Sequence, residues 1–198
     1  MSRMGAMILA AGMSSRMGSF KVLLPWVDRR PILLHVIDKY IALNIDPIFV
    51  ITGRDSEQVQ ANVADMPVTC VHNADYAHGE ILSSVKTGLC AMPTDVVATF
   101  IHPADMPLVP QAIVQRLYDA YQPHTILAPR YGEQRGHPIL LGREFWLQML
   151  QLPADAAPRD AIKANKQHLH FLDTDDDGVI VDIDTPERYQ SALLRARR

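Results

Sequence analysis

Only two cysteines, Cys70 and Cys90, occur in this sequence of 198 residues. A disulfide framework is excluded, and both lie in apolar stretches that suit small buried side chains. No apolar run is long enough to span a membrane. No signal-peptide pattern precedes the first apolar segment, so a cytoplasmic protein is the expectation. There is no internal repeat and no low-complexity linker. Nor is there a surplus of positive charge: the formal net charge is −3, which argues against a general nucleic-acid binder.

What is present is ordinary for a globular chain. Hydrophobic residues make up 48% and charged residues 21%, enough for one domain over residues 1–198 with a sizeable core. Charge is uneven at one end. Arg3, Arg16, Lys21, Arg29 and Arg30 face only Asp28 in the first thirty residues, which predicts a locally cationic end.

Short apolar runs alternate with helical patterns. Strands are expected near 6–9, 48–52, 69–72, 96–101, 125–128 and 138–141. A helix follows Pro31, a residue suited to a first helical turn, with a stripe of Ile32, Leu33, Val36, Ile37, Tyr40 and Ile41. Further helices are expected near 56–64, 81–91, 110–121, 143–150 and 159–164. A last one runs over 186–196, with Thr185 as its N-cap. Residues 130–136 and 173–178 read as loops. Strands separated by helices imply an α/β fold, a mainly parallel sheet with helices on both faces, whose ligands bind at the carboxyl ends of the strands.

Four segments fall at such ends. The first follows the opening strand: Met7-Ile8-Leu9-Ala10-Ala11-Gly12, then small polar residues, Arg16, Gly18 and Lys21. A loop without bulky side chains at its entry lets a ligand approach the backbone, and exposed N–H groups beside Arg and Lys suit a phosphate. It is neither a Walker loop, which ends in Gly-Lys-Ser/Thr, nor a Rossmann fingerprint, whose glycines are closer together. An ordinary strand-to-helix turn with two solvated cations is the competing reading. The second segment places Ser83 and Ser84 near a helix start, where they bond a ligand or cap the helix.

The third segment is Ile101-His102-Pro103-Ala104-Asp105-Met106-Pro107. Asp105 follows an apolar strand and is read as a Mg²⁺ ligand or a turn-stabilising residue. The fourth, Val181-Asp182-Ile183-Asp184-Thr185-Pro186, sets two carboxylates on one face of an expected strand, which repel unless a cation lies near them. Asp184 also suits a helix entry. His137, in the turn Gly136-His137-Pro138, is either a surface histidine or a functional one. His168 and His170 read as a half-exposed strand face, the acidic run 173–177 as a solvated loop, and Arg195, Arg197 and Arg198 as partners of a helix C-terminus.

Together these segments resemble the MobA-like nucleotidyltransferases. The pattern Leu9-Ala10-Ala11-Gly12-x-Ser14-x-Arg16-Met17-Gly18-x-x-Lys21 carries the resemblance, and the other segments fall in the family's order across nearly the whole chain. Within the family the chain is most similar to the molybdenum-cofactor cytidylyltransferases. The resemblance implies a three-layer Rossmann-like fold and a transfer in which an acceptor phosphate attacks the α-phosphorus of a nucleoside triphosphate. CTP is the expected nucleotide, molybdopterin cofactor the expected acceptor and a molybdoenzyme a partner that receives the product. A different phosphorylated acceptor, such as a sugar phosphate, or a non-catalytic accessory role are the alternatives.

The same resemblance implies the roles. Leu9, Ala10, Ala11, Gly12, Ser83 and Ser84 bind nucleotide. Arg16 neutralises the departing pyrophosphate, and Lys21 sits on the α-phosphate. Asp105 and Asp184 hold Mg²⁺, and His137 meets the acceptor. Two departures from the family pattern, His102-Pro103-Ala104 before Asp105 and Glu80-Ile81-Leu82 before the serines, are expected to border the acceptor or the base.

Overall fold

The computed structural model describes residues 3–12, 20–78 and 81–197. The elements in chain order are β1 (Arg3–Ala10), α1 (Ile32–Ile41), β2 (Ile48–Thr52), α2 (Ser56–Val63), β3 (Thr69–His72), α3 (Ile81–Ala91), β4 (Val96–Pro103), α4 (Gln111–Ala120), β5 (Ile126–Tyr131), β6 (Gln134–Arg135), β7 (Ile139–Gly142), α5 (Trp146–Gln151), α6 (Pro158–Ala164), β8 (Leu169–Asp173) and α7 (Pro186–Ala196). All five residues of β2 are buried, and β4 is buried at six of eight positions. Such continuous apolar strands need a cover on both faces.

The sheet order is β3-β2-β1-β4-β7-β5, with β6 and β8 both pairing with β5. Neighbours from β3 to β4 are parallel, as is β5 with β8, while β7 runs antiparallel to β4 and β5. Two reversals leave β5 pointing the same way as β4, so their carboxyl ends share one edge. On one face Leu33, Val36 and Ile37 of α1 join Val59, Val63, Val114 and Leu117 over Ile8, Val50 and Phe100. On the other, Leu82, Val85, Met149 and Ile162 cover Met7, Ile51 and Leu141. The result is the three-layer fold with a mainly parallel sheet that the alternation of elements predicts. No helix among the described residues is long and apolar enough to cross a membrane.

Several local expectations are corrected. Residues 130–136 are not one loop: they hold the end of β5 and the short β6, which form a hairpin with Arg130 opposite Arg135. Residues 181–184 belong to no strand, and His168 closes a 3₁₀ turn before β8. Cys90 is exposed, and Cys70, on the edge strand β3, is only half-buried against the core. Part of the cationic end is paired: Arg3 with Asp46 and Asp95, and Arg30 with Asp38. Arg195 is not a lone helix-end cation, since it pairs with Asp176 and Asp177, and Asp173 holds Arg130 through both its oxygens. The acidic run is thus a paired segment.

α7 closes the fold. Thr185 accepts a bond from the Arg188 N–H and caps the helix, as the sequence predicts. The helix docks on the N-terminal third of the chain through a separate cluster of Trp26, Ile32, Ile183, Ala192 and Leu193. Ile183 is fully buried there. Burying such a side chain contributes roughly 1.5–3 kcal/mol, which pins the chain on both sides of it.

Candidate active site

At the carboxyl edge, three distant segments converge on one ammonium group. Lys21 lies on a 3₁₀ turn over Lys21–Leu23. Its Nζ is 2.5 Å from Asp105 Oδ2 and 2.7 Å from Asp184 Oδ1. Asp105 sits two residues past the end of β4, in a turn whose Ala104 N–H bonds the Leu9 carbonyl at 3.0 Å. Asp184 arrives on the segment before α7, and the Ile183 N–H bonds the Asp105 carbonyl at 2.9 Å. The burial of Ile183 and this bond bring Asp184 to the site without a strand. Asp182 is turned outward onto Arg188.

The three side chains are largely shielded, each with no more than 19% of its area exposed. Burial pulls the Lys21 ammonium down, but Asp105 and then Asp184 outweigh it, so its pKa stands above the usual lysine range. Burial raises the Asp105 carboxyl above its ordinary value, against the pull of Lys21 and with a push from Asp182 and Asp184. Two carboxylates that share one cation in a poorly hydrated place are the electrostatic form of a cation site.

Other predicted residues frame the same edge. Ala10 and Ala11 are buried, with Gly12 exposed beyond them. The Ala11 carbonyl packs so closely on Gly53 that a Cβ there would lie 2.7 Å from it. Ser83 and Ser84 both accept a hydrogen bond from the Asn73 side-chain amide, at 2.8 and 3.1 Å. Asn73 is itself buried and accepts from the Asp75 N–H. Asn73 was not among the predicted site residues, although a polar residue just after a strand is the signal that marks it. A groove of 630 Å³ runs from Ser83 along α3 past Lys86 to Cys90, with Asp75 and His78 on its other wall. Arg16 lies outside the described residues.

Of the residues that depart from the family pattern, His102 and Leu82 turn inward, while Glu80 lies outside the described residues. His102 has no exposed surface. Tyr40 Oη lies 2.7 Å from its Nδ1, and its Nε2 lies 3.2 Å from the Met106 carbonyl. Since Nε2 faces a carbonyl, it carries the proton, and Nδ1 accepts from the tyrosine. The ring thus spans the turn that presents Asp105, and burial holds its pKa at about 3. Leu82 enters the core, while Ile81 is exposed.

His137 lies on the same edge. The register Ile101 opposite Ile139 carries it to the level of Pro103. Its N–H bonds the Val179 carbonyl at 2.8 Å. Nδ1 is shut off from water and bonded to nothing among the described residues. Burial and then the Arg135 charge hold the ring at about pKa 4.

Comparison with known proteins places the chain in a family. Residues 6–170 match the MobA-like NTP transferase domain. The chain is 31% identical over 196 residues to the molybdenum cofactor cytidylyltransferase of Escherichia coli K12, covering 98% of each. It is 34% identical over 143 residues to the bifunctional protein GlmU of Legionella pneumophila Corby, spanning 30% of that longer protein. In fold it is similar to Rv0371c of Mycobacterium tuberculosis, with a TM-score of 0.84 over 98% of each chain at 24% identity. The chain belongs to the MobA-like NTP transferase family and is a nucleotidyltransferase.

Proposed function

We propose that the chain transfers CMP from CTP to molybdopterin cofactor with release of pyrophosphate, in a reaction that depends on a divalent cation. The observation that carries this reading is the Lys21 ammonium held between Asp105 and Asp184 beside the opening loop. The similarity to the Escherichia coli enzyme supports the choice of CTP and acceptor. A molybdoenzyme receives the product, and the cytoplasm is the proposed location.

In the proposed reaction an oxygen of the acceptor phosphate attacks the α-phosphorus. The bond to the bridging oxygen of the β-phosphate breaks, and pyrophosphate leaves with its electron pair. The nucleophile is already ionised, so no general base is needed. The chain's task is positioning and charge neutralisation. Backbone N–H groups around Ala11 and Gly12 hold the triphosphate, Arg16 meets the departing pyrophosphate and Lys21 the α-phosphate. Ser83 and Ser84, set by Asn73, bound the nucleotide. Asp105 and Asp184 suit Mg²⁺, which takes one or two carboxylates and completes its shell with phosphate oxygens and water. When bound, the metal supplies charge neutralisation across the phosphates. His137 borders the acceptor.

The test is pyrophosphate release by the purified protein with Mg²⁺, molybdopterin and each of the four ribonucleoside triphosphates. CTP is expected to give the highest kcat/KM. Turnover with a sugar phosphate and none with molybdopterin would move the acceptor while leaving the transfer intact.

A further inference from the structure

Asn73 follows β3 and is buried with every hydrogen-bonding group engaged. Its N–H donates to the Thr52 carbonyl at 2.9 Å, and its carbonyl accepts from the Tyr76 N–H at 3.3 Å. Its side chain admits one orientation. The Asp75 N–H, 3.0 Å away, can only donate, so Oδ1 faces it. Nδ2 then faces Ser83 Oγ at 2.8 Å and Ser84 Oγ at 3.1 Å, and spends both hydrogens on them. Both hydroxyls therefore accept from Asn73, which leaves each proton to point elsewhere. Ser84 is only 6% exposed, and its proton meets no acceptor among the described residues. A buried hydroxyl with an unused proton favours a partner that accepts.

The cluster lies at the edge that holds the candidate active site. α3 follows β3, so its first turn stands at the carboxyl edge. Gly88 of α3 rests on the sheet: a Cβ there would lie 3.0 Å from Met7 Sδ and 3.2 Å from Ile51 Cδ1. Ser84 is one turn, about 5.4 Å, nearer the edge. β3, β2, β1 and β4 are consecutive in the sheet, so Asn73 and Asp105 follow strands three spacings apart, roughly 14 Å. Between them, Gly53 joins the turn to the opening loop. A Cβ on it would lie 2.7 Å from the Ala11 carbonyl and 2.9 Å from Tyr76 Cβ. With the α-phosphate at Lys21, a nucleoside laid along this edge brings its base to the serines.

We propose that Asn73 is a specificity-determining positioning residue, which fixes the two serine hydroxyls as donors to the base and so selects cytosine over uracil. The assignment rests on the reading above that the nucleotide is CTP. Cytosine offers two adjacent acceptors, O2 and N3. Uracil carries a proton on N3, which would meet a serine proton head on and leave both unpaired. A hydrogen-bond mismatch of this kind discriminates more strongly than a difference in bulk. Asn73 touches no nucleotide itself and acts through Ser83 and Ser84.

The probes are CTP and UTP with Mg²⁺ and no acceptor, titrated calorimetrically into the full-length protein and into N73D and S84A. An aspartate in this place keeps an oxygen for the Asp75 N–H but accepts where the amide donates, so the serine protons turn toward it. Wild type should bind CTP at least about tenfold more tightly than UTP, and N73D should bring the two within about threefold. S84A removes one donor and adds no charge, and should narrow the ratio in the same direction. The added charge of N73D, or a merely structural loss, would weaken both nucleotides alike and leave the ratio standing. A ratio unchanged in both variants, or a wild type that binds CTP and UTP equally, overturns the proposal. If CTP and molybdopterin still release pyrophosphate in that case, the proposal falls alone and the reading above stands. A CTP preference that N73D abolishes, without turnover of molybdopterin, would keep the proposal and sink the acceptor reading.

Discussion

The Lys21 Nζ lies 2.5 Å from Asp105 Oδ2, and Asp184 grips the same atom from the other side. The ammonium therefore stands where a cation shared by the two carboxylates would stand. Removing it leaves two partly buried like charges, a change that costs about 1–3 kcal/mol for shielded pairs. Lys21→Met should lower Tm, and MgCl₂ should restore more of it in the variant than in the wild type, at about 2–4 °C per kcal/mol for a chain of this size. Differential scanning fluorimetry with and without MgCl₂ measures both. An equal Mg²⁺ effect in the two proteins would rule out competition for one site.

The carboxylates are not equivalent to their neighbour. Asp105→Asn keeps an oxygen for Lys21, so Tm should change by no more than a few degrees, while pyrophosphate release falls at least about 100-fold. Asp184→Asn should behave alike. Asp182→Asn, whose partner is the exposed Arg188, should stay within about tenfold of wild type, since such pairs contribute little. A parallel loss at Asp182 would shift the metal role toward it.

His102 and His137 are held neutral, near pKa 3 and 4, against an ordinary value of 6.5. The unfolded chain takes up protons on them first as pH falls. Their contribution is therefore complete above about pH 6.5 and is lost progressively below it. Each contributes a slope of up to about 1.4 kcal/mol per pH unit between there and its folded pKa. Urea unfolding from pH 7.5 to 5 should show stability falling with acid. His102→Phe should flatten that fall by one histidine's share, and an unaltered slope would exclude the buried ring as its source.

Tyr40→Phe tests the turn behind Asp105. It leaves His102 Nδ1 buried without a donor and should cost about 1–3 kcal/mol. If the ring positions Asp105, the KM for Mg²⁺ should rise while that for CTP changes little. A loss of Tm with unchanged metal dependence would make the pair a packing feature alone.

Ala11 is only 7% exposed, and in the proposed reading its methyl takes up room beside the base. A single methyl is worth about 1 kcal/mol of exclusion. Ala11→Gly should therefore narrow the ratio of kcat/KM for CTP over GTP about fivefold without inverting it. A wild-type preference for GTP would remove the cytidylyl reading and leave nucleotidyl transfer standing.

Much of this was legible in the sequence because the signals were local. The apolar run of β2, the stripe after Pro31 and the Thr185 cap each lie within a few residues. The errors came where a distant partner decides. Val179, Val181 and Ile183 alternate as a strand would, yet Ile183 is buried by α7 packing and no ladder forms. His102 stands beside Asp105 in sequence, but Tyr40, 62 residues earlier, turns it inward.

The bond between Ile183 and Asp105 has a consequence for how the protein comes into being. A ribosome that has delivered residues up to 173 has supplied every strand of the sheet, including β8. Such a nascent chain still lacks Asp184 and the helix that seats it. The apolar cluster around Trp26 also waits for Ile183, Ala192 and Leu193. Of the two carboxylates on Lys21, such a chain holds Asp105 alone, so the sheet's strands precede the pairing that completes this cluster.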